Sequence, residues 1–187
     1  MTQAPPAPNQ LDLVIDFVNT LDAEDGTDEL ATQDGLTTWL AQRGMLETRR
    51  AAEPSAEERQ HAIRLREALR ELMLANNGGP RGDAAGEELE LVARRGDLGV
   101  HFDPDGSVGI APAAEGFAAA LARLLVPVAR AVGDGSWQRV KACRAADCRW
   151  AFYDRSRNRS GVWCEMAVCG NRTKVRAYRE RAPREGR

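Results

Sequence analysis

The sequence predicts an α+β protein: a mainly helical amino-terminal domain with a small hairpin or sheet, then a short carboxy-terminal module of treble-clef-like order built around four cysteines. Three observations lead there. Apolar residues recur at helical spacing in several segments before residue 133. A Pro-Asp-Gly turn separates two short apolar runs. All four cysteines of the 187-residue chain fall between Cys143 and Cys169.

The elements follow in order. LDLVIDFVNTLD places Leu11, Val14, Ile15, Val18 and Leu21 at helical spacing, although Leu11, Leu13, Ile15 and Phe17 also alternate; we read it as a helix. A short helix is expected over Leu36 to Gln42, ended by Gly44. Ser55 with Glu58 three residues on is a capping box, predicting a helix to about Asn76 with Leu65, Leu69, Leu72 and Met73 as its buried stripe. NNGGPRG is a loop, and another helix follows from about Ala84 to Arg95. VHFDPDGSVGI reads as a hairpin; Asp103 and Asp105 do not make a calcium loop, because the glycine offset is wrong and no glutamate closes it. Glu115 to Val132 presents one wide apolar face, kinked at Pro127. GDGS, residues 133–136, is the expected boundary between domains 1–135 and 136–187.

With 43% hydrophobic and 29% charged residues, the composition is that of a soluble globular protein. The start, MTQAPPAPNQ, has no signal-peptide pattern, and no run of about 18 apolar residues stands out, so a cytoplasmic protein with no membrane partner is expected. The net charge of −2 conceals a division. Residues 136–187 carry 14 Lys+Arg and 5 Asp+Glu, or +9; the remaining 12 and 23 leave −11 on residues 1–135. Such asymmetry suggests that the basic part meets a polyanion.

Cys143 and Cys148 enclose four residues, Cys164 and Cys169 another four, and 15 residues separate the pairs. Two close pairs suit a tetrahedral zinc site, with iron-sulfur as the lesser alternative. Four thiolates leave no open coordination position, so the ion is structural. A module of this size buries too little apolar surface to fold unaided, and ligation supplies the difference. Trp150, Phe152, Tyr153 and Trp163 are expected to pack around the ion, with RWAFYD and GVWC paired as a hairpin. Gly170 then gives the backbone room near the metal, Asn171 caps a helix, and that helix begins near Arg172.

On that helix Arg172, Arg176 and Arg179 form one solvent-facing stripe beside Lys174, while Val175, Tyr178 and Ala182 face another way. Upstream, Arg155, Arg157, Asn158 and Arg159 lie in DRSRNRSG, where guanidinium and short polar groups suit phosphate oxygens. DNA is the expected partner, with RNA or a docked protein as alternatives. His61 and His101 make no catalytic pattern, and there is no Walker loop, dinucleotide fingerprint or nucleophile elbow, so no enzyme is expected. Asp16, Asn19 and Thr20 interrupt an apolar segment and are candidate ligand-pocket residues for a small-molecule effector.

CRAADC, FYDRSRNRSGVWCEM and CGNRTKVRAYRER together resemble the CGNR zinc-finger family, whose members are regarded as stress-induced transcription regulators. IDFVNTL and LTTWLAQRGML resemble that family's companion ABATE domain. Gly161 and Val162 stand where the family commonly has an arginine, a departure that bears on one phosphate contact and not on the metal site. The resemblance implies zinc on Cys143, Cys148, Cys164 and Cys169, a finger that contacts DNA, and an α+β companion domain that senses a ligand or partner.

Overall fold

The computed structural model describes residues 10–46 and 53–181; Ala182 lies outside them. About half of the chain is helical. The order is α1 Leu11–Val18, β1 Leu21–Asp22, β2 Thr27–Asp28, α2 Gln33–Gln42, α3 Ala56–Asn76, α4 Asp83–Arg95, β3 Leu98–Phe102, β4 Val108–Pro112, α5 Gly116–Arg123, α6 Leu125–Asp134, β5 Val140–Ala142, β6 Ala151–Tyr153 and α7 Asn171–Arg181. Among the described residues the strands form three antiparallel pairs, β1 with β2, β3 with β4 and β5 with β6.

α1 is shorter than its apolar pattern suggested. Leu11, Val14, Phe17 and Val18 are buried, but the chain leaves the helix at Asn19, and Leu21 pairs with Asp28 instead of adding another turn. α2 starts earlier than expected because the Thr32 hydroxyl caps it, accepting from the Gly35 amide at 3.0 Å. α3 begins at the predicted capping box: Ser55 Oγ accepts from Glu58 N at 3.1 Å, and Glu58 Oε2 accepts from Ser55 N at 2.7 Å.

The predicted kink resolves into two helices. Pro127 has no amide to donate to the carbonyl four residues back, which belongs to Arg123, and Arg123 is the last residue of α5. Taken together, Gly116–Asp134 has the length and apolar composition of a membrane span, which corrects the reading that no such stretch exists. Phe117, Ala120, Leu121, Leu125 and Val128 nevertheless pack in the protein core.

α3 is the central element, in contact with α1, α2, α4, α5 and β5. Its inner face differs from the predicted one: Leu65, Leu69 and Met73 are buried, Leu72 only half so, and Arg66 and Arg70 are buried in its place. The main core takes residues from both halves of the chain. Val140, Ala142 and Ala151, from β5 and β6, join the same cluster as Leu11, Val14, Leu65 and Leu69. The basic carboxy-terminal region is therefore anchored through its first two strands in the helical core.

Candidate metal centre

β6 pairs with β5 and not with GVWC, which corrects the predicted hairpin. The reason lies in the first cysteine pair. Cys143–Cys148 is the connection between the two strands, the Cys143 amide continues the ladder to the Trp150 carbonyl at 2.8 Å, and the Cys148 amide closes the turn on Ala145 O at 3.0 Å. Arg149 leaves this turn in the left-handed region at φ 57. In the second pair Cys164 precedes a wide turn, Met166–Gly170, and Cys169 lies within it; the turn runs directly into α7, and the Cys169 amide bonds the Glu165 carbonyl at 2.9 Å.

These two turns bring the four sulfurs to within 4.8 Å of one another. Cys148 to Cys164 and Cys164 to Cys169 are each 3.6 Å. A tetrahedron with bonds of about 2.3 Å has edges of about 3.8 Å, whereas a disulfide needs about 2.05 Å, so the spacing fits four ligands on one ion. Burial agrees: Cys143, Cys148 and Cys169 are buried and Cys164 is half-buried. The four neighbouring thiols differ in how firmly they hold a proton. Hydrogen bonding from Cys164 and from nearby backbone amides holds Cys143 down to about 5. Burial pushes Cys148 up to about 12, and the hydrogen bond to Cys143, then burial, raises Cys164 further. A divalent ion at the centre favours the thiolate form at all four positions.

Trp150 and Trp163 cover the cysteine cluster as expected, but Tyr153 packs on the main core instead. A Cβ on Gly170 would lie 2.5 Å from Met166 Sδ and 3.0 Å from Trp163 Cδ1, so glycine lets the backbone pass under the indole. Asn171 is not the helix cap that was expected. It has helical dihedrals, and its side chain donates back to the Ala167 carbonyl at 3.0 Å, because the helical path already begins at Met166. Arg172 donates to Cys169 Sγ at 3.6 Å. The word Cys-Gly-Asn-Arg thus comprises one of the four clustered sulfurs, a close-packing glycine, a turn lock and a cation beside that sulfur.

Residues 139–182, which contain this centre, match the family model of the CGNR zinc finger. Residues 11–134 match the ABATE model, described as "Putative stress-induced transcription regulator", over about two thirds of the chain. The chain belongs to the ABATE family. No curated protein matches it.

In the CGNR finger the SRNRS loop is shaped by a buried ion pair that the sequence reading missed. Lys141 Nζ donates to Asp154 Oδ2 at 2.7 Å, to Arg159 O at 2.6 Å and to Gly161 O at 3.0 Å. Asp154 also accepts from the Ser156 and Gly161 amides. Its burial would raise the carboxyl, but Lys141, Ser156 and Gly161 outweigh it and hold Asp154 at about 2. Any Cβ at Gly161 would lie 2.7 Å from Asp154 Oδ1, so the departure from the family pattern at this position has a local steric reason. Arg139 ties the loop down through the Asp154 and Ser156 carbonyls. Of the loop candidates, Arg155, Arg157, Asn158 and Arg159 are exposed; Arg155 lies 5.3 Å from the Tyr153 ring centroid, and Arg159 donates to Gln138 Oε1 at 3.2 Å.

On α7 the stripe is engaged by carboxylates. Arg172 grips Glu24 through two bonds, 2.6 and 3.2 Å, and lies 3.4 Å from Asp147; Arg176 donates to Asp147 at 2.9 Å. Lys174 and Arg179 are exposed. Val175 and Tyr178 are exposed too, so the apolar side of α7 is not buried against the finger.

The three ABATE-domain ligand candidates are not brought together in one cavity. Asn19 reads the edge of β6, donating to Ala151 O at 3.0 Å and accepting from Ala151 N at 2.7 Å. Thr20 is buried, donates to Phe17 O at 2.8 Å and accepts from Arg66 at 3.3 Å. Asp16 is exposed and lies 3.9 Å from Arg43. A groove of about 540 Å³ elsewhere is bordered by Asn76, Arg81, Asp83, Glu87, Trp137 and Gln138. His61 sits in a cluster with Arg64, Arg95, Glu57 and Glu88, while His101 is on the exposed hairpin.

Three further side chains join the two regions and a fourth, Arg66, braces the amino-terminal one; sequence reasoning did not pick them out. Arg70 donates to Val18 O at 2.6 Å and to Arg149 O at 2.9 Å. Asn77 donates to Ala142 O and Val162 O, both at 2.8 Å, and Asn76 to Trp137 O and Val140 O, both at 2.9 Å. Arg66 clasps Asp28 at 2.6 and 3.1 Å, fixing the β1–β2 ladder on α3. The available signal was a polar residue in phase with an apolar stripe: Arg66 and Arg70 are one and five residues after Leu65.

Proposed function

We propose that the chain is a DNA-binding transcription regulator in which a zinc ion on Cys143, Cys148, Cys164 and Cys169 has a structural, non-catalytic role. The all-thiolate donor set supports zinc, and a filled tetrahedral shell leaves no position for substrate. The finger's order, a cysteine turn within a hairpin and a second pair leading into a helix, supports the treble-clef reading. Reduced thiols fit a cytoplasmic setting.

The observation that carries the DNA reading is the place and grip of Arg172. It lies three residues after a metal ligand, so the ion fixes its backbone, and its guanidinium already takes an oxyanion in bidentate geometry. Arg176 lies one turn further along the same helix, and the loop arginines extend the cationic surface. Phosphate oxygens present the same acceptor chemistry as the Glu24 carboxylate.

The test is fluorescence anisotropy of a labelled random-sequence duplex with zinc-loaded protein from 20 to 200 mM salt. Binding that weakens steeply with salt and vanishes with a chelator is expected. No binding at low salt with zinc in place refutes the reading, and preference for structured RNA over the duplex replaces it with the RNA alternative. A protein-adaptor reading has its own support in the exposure of Met166, Val168, Val175 and Tyr178 on and beside α7. Capture of a protein partner that survives nuclease and high salt would favour that reading.

A further inference from the structure

We propose that Glu24 and Asp147 form an internal carboxylate clamp that occupies the phosphate-binding arginines of the finger and sets how strongly a polyanion must compete to bind. The inference rests on the DNA reading for its biological partner, but the clamp itself is a feature of the free protein.

Glu24 belongs to the acidic ABATE domain and is 148 residues away from Arg172 in sequence. Its position is built. The amides of Glu24 and Asp25 both donate to Asp22 Oδ1, at 2.9 and 3.1 Å, and Gly26 turns the chain back at φ 70. The β1–β2 ladder that carries this turn is held by Arg66 through Asp28, and α3 in turn holds the finger through Arg70, Asn76 and Asn77. The Glu24 backbone and the Arg172 backbone are thus fixed on one scaffold, so an entering phosphate displaces a side chain and not a domain.

Asp147 shares Arg172 with Glu24 and holds Arg176 as well. It stands in the metal-binding turn next to Cys148 and contacts both Arg172 and Arg176. The arrangement is a weak lock. Exposed ion pairs of this kind contribute little individually, as a contact meant to yield to a phosphate backbone must.

The experiment compares wild type, Glu24→Gln, Asp147→Asn, the double variant and a control, Asp25→Asn, on duplex DNA and on a heparin column. Asp25 is exposed and adjacent to Glu24, so its variant makes the same change in net charge without touching the stripe. Metal content is measured for each, to show that the Cys148 turn is intact. The clamp predicts a three- to fivefold gain in duplex affinity for Glu24→Gln, about tenfold for the double variant, no comparable gain for Asp25→Asn, and the same order of elution from heparin. Equal behaviour of Glu24→Gln and Asp25→Asn on both polyanions overturns the clamp. If the wild type ignores duplex DNA while Glu24→Gln alone gains heparin retention, the clamp stands and the DNA reading falls.

Discussion

Stripping the metal from the intact chain should unfold the helical region as well as the finger. The reason is the shared core. β5 and β6 place Val140, Ala142 and Ala151 at 1% exposure or less among residues of α1 and α3. Asn19 makes two hydrogen bonds to Ala151, Asn77 reaches Ala142 and Val162, Asn76 reaches Val140, and Arg70 reaches Arg149. At about 1 kcal/mol for each bond and about 2 kcal/mol for burying Val140, the loss is on the order of 8 kcal/mol. A domain's whole stability is about 5–15 kcal/mol. Structural zinc contributes more than enough to hold these strands in place, at about 10–16 kcal/mol in small peptides. The assay is circular dichroism at 222 nm during heating, with and without a zinc chelator. One transition is expected in the zinc-loaded protein, moving down by 15 °C or more on chelation, with helical signal lost throughout. A helical transition at an unchanged temperature would show that residues 11–134 do not depend on the finger and would refute the reasoning.

Three further perturbations follow from the same contacts. Arg70→Met removes the donor shared by Val18 and Arg149; the orphaned carbonyls should cost about 2–4 kcal/mol in urea unfolding, and an unchanged midpoint would count against the junction. Asp154→Asn should lose about 2 kcal/mol. Because folding lowers that carboxyl from 3.8 to about 2, its contribution is fully present above about pH 4 and fades only as pH falls toward 2, so the gap from wild type should be constant between pH 5 and 8. Gly170→Ala drives a methyl toward Met166 and the Trp163 indole; a loss of about 1–3 kcal/mol with altered tryptophan emission and weakened metal retention is expected, and wild-type behaviour would show that the turn accommodates it.

Much of the fold was legible because the determining interactions are local. Ser55 and Glu58 cap α3 without help from the rest of the chain, and the thiol pairs carry their chemistry in their spacing. What the sequence concealed depends on distant partners. The polar residues of IDFVNTL look like ligand-pocket residues because nothing in the sequence reveals that Asn19 meets Ala151, 132 residues away. Leu72 looks like core and Arg70 like surface, yet the guanidinium is buried because two carbonyls from separate regions converge on it. Likewise the arginines of α7 look free for phosphate until the fold places Glu24 and Asp147 beside them.

The contacts assign different tasks to the two acidic features of the amino-terminal region. Asp28 is spent inside the scaffold, where its burial, the largest single effect, is outweighed by Arg66, the Leu30 amide and Arg59 together, so that its carboxyl is held below the usual range; it fixes a turn. Glu24, four residues earlier on the same β1–β2 unit, is exposed and directed at the finger. Removing Asp28 should therefore cost stability first and alter polyanion affinity only through the displaced turn, whereas removing Glu24 should alter affinity with little cost in stability. An Asp28→Asn variant that bound duplex DNA as tightly as Glu24→Gln at unchanged stability would break this division. It would mean that overall charge, and not the placement of one carboxylate, governs the finger.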